Sequence, residues 1–228
     1  MRETFHDELD QVGRSLVEMS ELVDSAMAGA TSALLEADLV VAEQVISNDN
    51  QIDAVRDDLE RRAFDLLARQ QPVARDLRTV VTSLHMGADL ERMGDLALHI
   101  AKVARMRYPS SAVPPEVRET IREMGTVAAH IVQLTTAVLL GRDLALAEQL
   151  EREDDAMDKL HRRLFAILLD DDWAHGIEPA IDITLIGRYY ERYADHAVSV
   201  ARQVVYLITG EFPASALAGD STETALGA

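Results

Sequence analysis

The sequence predicts an all-α fold: two tandem antiparallel three-helix bundles related by internal duplication. Three observations predict it. The chain repeats itself in register, its composition is that of packed helices, and its capping and breaking residues fall where six long helices need them. Shifted by 105 residues, Met19 falls on Met124, Thr31 on Thr136, Leu34-Leu35 on Leu139-Leu140 and Asp38-Leu39 on Asp143-Leu144. Ala42-Glu43-Gln44 then match Ala147-Glu148-Gln149, and Asp49, Asp53 and Leu59 match Asp154, Asp158 and Leu164. The offset drops to 100, as though five residues were lost in a loop, and Gly87, Glu91, Arg92, Asp95, Ala97 and Ala101 match Gly187, Glu191, Arg192, Asp195, Ala197 and Ala201. A run of matches in register marks two copies of one supersecondary unit. Ala, Leu and Val dominate, while 11 Gly and 6 Pro in 228 residues are too few for a turn-rich β-sandwich.

Each copy reads as three helices. The first spans about Glu3 to Glu36. Asp38 N-caps a second, with Glu43 early in it, that runs to about Gln70. Pro72 opens a third that runs to about Arg107. Tyr108-Pro-Ser-Ser-Ala-Val-Pro-Pro115 is a linker whose prolines cannot sit inside a helix. The second copy places helices near Glu116–Leu140, Asp143–Asp171 and Pro179–Thr209, with Trp173-Ala-His-Gly176 breaking the last two apart. The expected domains are therefore 1–107, a linker 108–115, 116–212, and a small polar tail 213–228 predicted to be disordered. Helices this long suit an extended bundle with short antiparallel turns.

Charge narrows the function. Forty acidic against twenty-two basic residues give a net charge of −18, which repels nucleic-acid phosphates and anionic lipid. Cysteine is absent, so a disulfide framework, a thiolate zinc site or a cysteine nucleophile is excluded. The start, Met1-Arg-Glu-Thr-Phe-His-Asp-Glu, is polar, and no apolar run is read as a membrane span of about 20 residues. A cytoplasmic location is the simplest expectation.

The candidate chemistry lies in four acidic units. Asp49-x-x-x-Asp53 is echoed by Asp154-x-x-x-Asp158, and Glu91-x-x-x-Asp95 by Glu191-x-x-x-Asp195. Carboxylates four residues apart on a helix point the same way and repel each other. The third helix of each copy has an apolar seam, at Met86, Leu90, Met93, Ala97, Ile100 and Ala104 and at Ile186, Tyr190, Tyr193, Ala197, Val200 and Val204. At about 100° per residue the acidic pairs fall on the far side of that seam. In the second helix Asp49 and Asp53 flank a seam of Val45, Ile52 and Leu59. Four carboxylates in each half thus line an outer groove. All-oxygen ligands suit hard or borderline divalent and trivalent cations: iron, manganese, magnesium, calcium and zinc are not distinguished by this pattern. Two other readings stay open. An acidic pair on an outer face is ordinarily only solvated surface, with Arg92 and Arg192 offsetting the charge. A carboxylate-bridged metalloenzyme would need an open coordination position and a shaped pocket. No catalytic residue is assigned. His196 beside Asp195 points elsewhere on the helix, no zinc spacing joins the seven His, and there is no phosphate loop. His99 reads as a solvated helix residue and Tyr189 as a residue that can face a partner. Asp170-Asp-Asp172 closes a helix C-terminus, where negative charge is unfavourable, and solvation alone accounts for it.

With these residues in view, the chain resembles the PhoU family, regulators of phosphate uptake, from about Phe5 to Glu211. The carriers are Gln71-Pro-Val-Ala-Arg-Asp-Leu-Arg78, Asp89-Leu-Glu-Arg-Met-Gly-Asp95 with Ala97, His99, Ile100 and Ala101, then Asp49-x-x-Ile-Asp53 and Tyr190-Glu-Arg-Tyr-Ala-Asp195. The resemblance implies a cytoplasmic, commonly dimeric, non-enzymatic negative regulator of the phosphate-starvation response. It implies two partners, the ATPase subunit of the phosphate ABC transporter and a two-component sensor histidine kinase, which hold the protein peripheral to the membrane. It also implies multinuclear metal clusters on the bundle surface, with Asp49, Asp53, Glu91 and Asp95, and Asp154, Asp158, Glu191 and Asp195, as ligands. The chain departs from the family at His99, where Asn is frequent. Tyr189 takes the place of Asp89 in the second copy, which also lacks a counterpart of Gln71–Arg78.

Overall fold

The computed structural model describes residues 2–211, with side chains from residue 5 onward; the tail 213–228, expected to be disordered, lies outside the described residues. Six helices run in order: α1 Arg2–Glu36, α2 Leu39–Gln70, α3 Ala74–Arg107, α4 Pro115–Gly141, α5 Leu144–Leu168 and α6 Ile177–Thr209. The caps explain the starts. Asp38 accepts from the N–H groups of Val40 and Val41 at the head of α2, and Asp143 accepts from Ala145 N–H at 2.8 Å at the head of α5. Pro115 is the first residue of α4, where its missing N–H costs nothing.

Three ends differ from the sequence reading. Pro72 does not open α3. Gln71 ahead of it takes a left-handed conformation, Val73 is extended, and the helix begins at Ala74. The helix expected to reach Asp171 stops at Leu168, where a turn takes over with Asp170 Oδ1 accepting the Asp172 N–H at 3.0 Å. Gly176, at φ 81°, then lets α6 start at Ile177 rather than at Pro179. The five residues missing from the second copy are therefore not taken from a loop. They come out of the helices: α2 runs seven residues past the position where α5 ends, about 10 Å of extra helix.

Within each half the three helices pack on one another, and the halves join through α1 on α4 and α3 on α6. The seam residues Leu90, Met93, Ala97, Ile100, Tyr190, Tyr193, Ala197 and Val200 are fully buried, as are Met19, Met27, Ile121 and Met124, in a core continuous across both bundles. Tyr190 and Thr31 share a hydrogen bond of 2.7 Å inside it. One expectation needs correcting: α4 is long and apolar enough, by length and composition, to cross a membrane. It packs against α1, α5 and α6, and Val117, Ile121, Met124, Ala128, Ile131, Val132 and Val138 are fully buried there, so its hydropathy is that of a core helix.

The α3–α6 contact is antiparallel and pseudo-twofold. Asp89 of α3 meets His196 and Ser199 of α6, and His99 of α3 meets Tyr189 of α6. Those positions exchange when 100 is added to the α3 number. Arg107 at the end of α3 reaches Asp182 at 2.6 Å and also Glu178, near the start of α6.

Candidate metal centres

The acidic residues stand where helical phase put them, in two grooves: α2 against α3 and α5 against α6. Glu91, Asp95 and Asp49 are half-buried and Asp53 is exposed. A close helix approach builds the first groove. A Cβ added at Gly94, between Glu91 and Asp95, would lie 2.8 Å from Ile52 Cδ1 and 3.7 Å from Asp49 Oδ1. A side chain at Gly94 would have to push the Ile52 Cδ1 methyl aside, and Asp49 Oδ1 lies at ordinary contact distance from that position.

The electrostatics show that each set of four is a set. Burial raises the Asp49 pKa, and the charges of Asp53, Asp95 and Glu91 raise it further against the pull of Lys102. Burial also raises Glu91, with Asp95 and Asp53 adding to the shift while Arg92 and Arg56 oppose it. In the second groove burial, then Asp195 and Asp158, push Asp154 up to about 6, with Arg202 opposing. Glu191 is raised by burial, Asp195 and Asp158 against Arg188 and Arg192. Asp195 is raised by burial and Asp158 against the same two arginines and His196. Desolvated, mutually repelling carboxylates hold their protons too tightly, and a nearby cation reverses that.

Arginines answer part of the charge. Arg92 Nη1 sits 2.8 Å from Asp95 Oδ2 and Arg92 Nε 3.6 Å from Glu91. Arg188 Nη1 lies 2.5 Å from Glu191, and Arg192 3.8 Å from Asp195. Among the described residues no three His, Asp or Glu side chains already converge as a cage for an ion. The backbone brings four carboxylates to each groove; the arginine pairs turn some of them away from a common point.

Several residues at these grooves escaped sequence reasoning. Lys102 and Arg202 occupy equivalent positions and oppose the charge on Asp49 and Asp154; the repeat offset alone would have paired them. The position of Arg56 is held in the second copy by His161, whose Nε2 is buried without a hydrogen-bond partner and whose ring packs on Phe165 at 5.0 Å. His99 is exposed, as expected of a solvated helix residue, and its ring meets that of Tyr189 across the two bundles at 5.3 Å in a tilted contact. His196 bonds Asp89 Oδ1 at 2.9 Å while Ser199 donates to Asp89 Oδ2 at 2.7 Å. Both groups reach the same carboxylate and the serine is not activated by the imidazole, so this is a joint between bundles and not a nucleophile.

Comparison with known proteins gives a consistent picture. The PhoU domain model matches residues 16–104 and again 121–204. The phosphate-specific transport system accessory protein PhoU homolog 2 of Mycobacterium tuberculosis is 50% identical over 213 residues, 93% of this chain and 100% of that protein. The PhoU homolog 1 of Mycobacterium leprae is 48% identical over 93% of this chain and 96% of its own length. Among solved structures, PhoU from Pseudomonas aeruginosa superposes with a TM-score of 0.82 at 30% identity, covering 91% of this chain and 100% of the other. The phosphate transport system regulatory protein PhoU from Streptococcus pneumoniae gives 0.81 at 25% identity, covering 92% and 99%.

Proposed function

This chain belongs to the PhoU family, and from that premise we propose that it is a negative regulator of phosphate uptake and of the phosphate-starvation response. It works as a cytoplasmic, non-enzymatic adaptor between the phosphate ABC transporter's ATPase subunit and a sensor histidine kinase. It is a homodimer and reaches the membrane only through those partners. The observation that carries the reading is near-full-length identity of 50% to an accessory protein of a phosphate transport system, with both repeats intact. The relatives' names place the role in phosphate transport; the two partners, the dimer and the location are the finer part of the proposal.

The second part of the proposal concerns cations. The donor set fits them: every side chain is a carboxylate, each groove carries four, and the half-buried ones are held above their ordinary pKa by burial and by one another. Asp49, Asp53, Glu91 and Asp95 would hold one group of ions, Asp154, Asp158, Glu191 and Asp195 the other. A bound cation would supply positive charge and open coordination positions that a partner's carboxylates can complete. The chain's own residues do the rest. Arg92 and Arg188 would release their carboxylates to a cation, and the helices hold the ligands in i, i+4 pairs.

An adaptor acts only if it binds the two signalling states with different affinity. A deletion strain should therefore express its phosphate-scavenging genes in rich phosphate, and a strain that still represses them, with no second copy of the gene, sinks the adaptor reading. Elemental analysis of protein purified without chelator tests the cations separately. Replacing Glu91 and Asp95 by Ala should remove the metal of the first groove; unchanged metal content would show that they are not ligands.

A further inference from the structure

One end of the second bundle has a surface that neither the core nor the grooves explain. Leu169, just past α5, is 81% exposed, and Ile177, the first residue of α6, is 80% exposed. One turn further in, Phe165 on α5 and Ile181 on α6 are exposed as well. The antiparallel register, set by Gly187 against Leu164 and His161, brings Phe165 level with Leu185 and Leu169 level with Ile181, with Ile177 one turn beyond. Exposed large apolar side chains thus run along this end of the bundle on both helices, more than scattered surface hydrophobics account for.

The rim of this patch is acidic and unusually uncompensated. Asp170, Asp171 and Asp172 follow Leu169 directly, at a helix C-terminus where the backbone is already negative. Asp170 Oδ1 accepts a backbone N–H, and no cation pairs with any of the three among the described residues. The loop that carries them is pinned. The Trp173 indole N–H donates to Gly176 O at 2.9 Å, its ring meets His175 at 4.9 Å, and His175 Nε2 lies 2.7 Å from Glu116 on α4. Three like charges are therefore presented in place.

The equivalent end of the first bundle serves as a built-in control. Phe64, Leu77 and Val81 are exposed there too, yet the acidic residues beside them on α2 pair off: Arg61 with Asp58 at 3.5 Å, Arg69 with Asp65 at 3.2 Å, Arg56 with Glu60 at 3.5 Å. Exposed apolar surface is common to both ends; a run of three adjacent aspartates without an ion pair belongs to one.

We propose that this end of the second bundle is a docking surface for a basic amphipathic helix of a partner protein. The helix lays its apolar stripe over Phe165, Leu169, Ile177 and Ile181 and turns Lys or Arg side chains toward Asp170, Asp171 and Asp172. Recognition of this kind takes affinity from the apolar face and orientation from the charged rim. A second copy is the poorer occupant, because a two-fold contact sets this acidic rim against itself. An anionic lipid surface is repelled for the same reason. The surface would be one contact of the adaptor described above and rests on that reading only for the existence of a protein partner. The test needs no phosphate signalling, so the two can fail separately.

Trp173 is the one tryptophan of the chain and sits in the pinned loop, so its fluorescence reports on this site alone. The full-length protein is titrated with two synthetic helical peptides about five turns long that share a leucine face, one rimmed with Lys and one with Glu. The Lys-rimmed peptide should shift Trp173 emission, with an affinity that falls as salt is raised. The triple substitution Asp170→Asn, Asp171→Asn, Asp172→Asn should weaken it about tenfold or more, and the pair Ile177→Glu, Ile181→Glu should abolish it. The pair Leu77→Glu, Val81→Glu at the other end should leave it unchanged. All these positions are exposed, and matching circular dichroism establishes that the variants fold. Equal binding of the Glu-rimmed peptide, indifference to the aspartate substitutions, or loss on changing Leu77 and Val81 overturns the proposal. So does light scattering that shows a dimer dissolved by Ile177→Glu, Ile181→Glu, which gives the face to a second copy, or binding to anionic vesicles in place of peptide.

Discussion

The α3 and α6 helices bury equivalent positions almost turn for turn, yet they solve the same packing problem with different chemistry. Asp89 receives an imidazole and a hydroxyl from α6 at a place where, half a molecule away, Tyr189 stacks on His99. Arg107 and Asp182 close one end of the α3–α6 contact with a nearly buried ion pair, and their equivalents at the other end are Leu207 and Thr82, buried and uncharged. Gly94 admits α2 into close contact, whereas the equivalent residue on α6 is Ala194. Backbone and volume are held in common while charge is free to differ. Differences between the copies therefore mark what each half does alone, and likeness marks what holds both.

Five substitutions would break or sharpen this comparison. The largest effect is expected at Arg107→Ala, which strands the Asp182 carboxylate, 8% exposed, without its cation. The urea midpoint should fall further than for any of the substitutions below, and an unchanged midpoint would mean that water reaches Asp182 and that the two ends of the α3–α6 contact are alike after all. Next, Asp89→Ala leaves His196 and Ser199 with no acceptor at a half-buried site, for a cost of about 2 kcal/mol; Tyr189→Phe, on the stacked side, should sit within about 0.5 kcal/mol of wild type by the same titration. Gly94→Val forces Ile52 aside and should cost roughly 2 kcal/mol and lower the metal content of the first groove. Ala194→Gly should cost mainly the helix propensity, roughly 1 kcal/mol, and equal losses at the two positions would show that Ile52 moves aside freely at Gly94.

One further effect depends on pH. The Asp154 pKa is about 6 in the fold against 3.8 for the free group. The native state therefore binds the proton more tightly than the unfolded chain, and the stability this gives is present below about pH 4 and lost as pH rises through about 6. Asp154→Asn should thus stabilise the metal-free protein at pH 7, by roughly 1 kcal/mol once solvent screening is allowed for, and make no difference at pH 4. Thermal melts at the two values check it. A stabilisation of the same size at pH 4 would place its origin outside this carboxylate's charge.

Much of this molecule was legible in its sequence because the relevant signals are local or repeated. The seams at Met86–Ala104 and Ile186–Val204, the caps at Asp38 and Asp143 and the outward phase of the acidic pairs all follow from helical periodicity, and the structure keeps each of them. What escaped was non-local or competitive. Asp89 and His196 are 107 positions apart, and only the pseudo-twofold contact makes them neighbours. The contact of Tyr189 with His99 escaped for the same reason, since the two lie on different bundles. The end of α5 was misplaced because Asp170 offers its side chain to a turn and competes with one more helical turn. The close contact of α2 and α3 at Gly94 also escaped, because a single small residue in a helix carries no periodic signal.

The joint between the bundles has one further consequence. The faces of α1 and α3 that meet α4 and α6 are the faces a single three-helix unit would have to cover with another copy of itself. This chain is in effect a dimer whose subunits were written one after the other, with residues 108–114 as the tether between them. A true dimer of identical subunits must accept every change twice, once on each side of its axis. Here a change falls on one side only, so an arginine can be given to one end and a leucine to the other. Fusion removed the requirement of equality, and the molecule has been able to grow a front and a back.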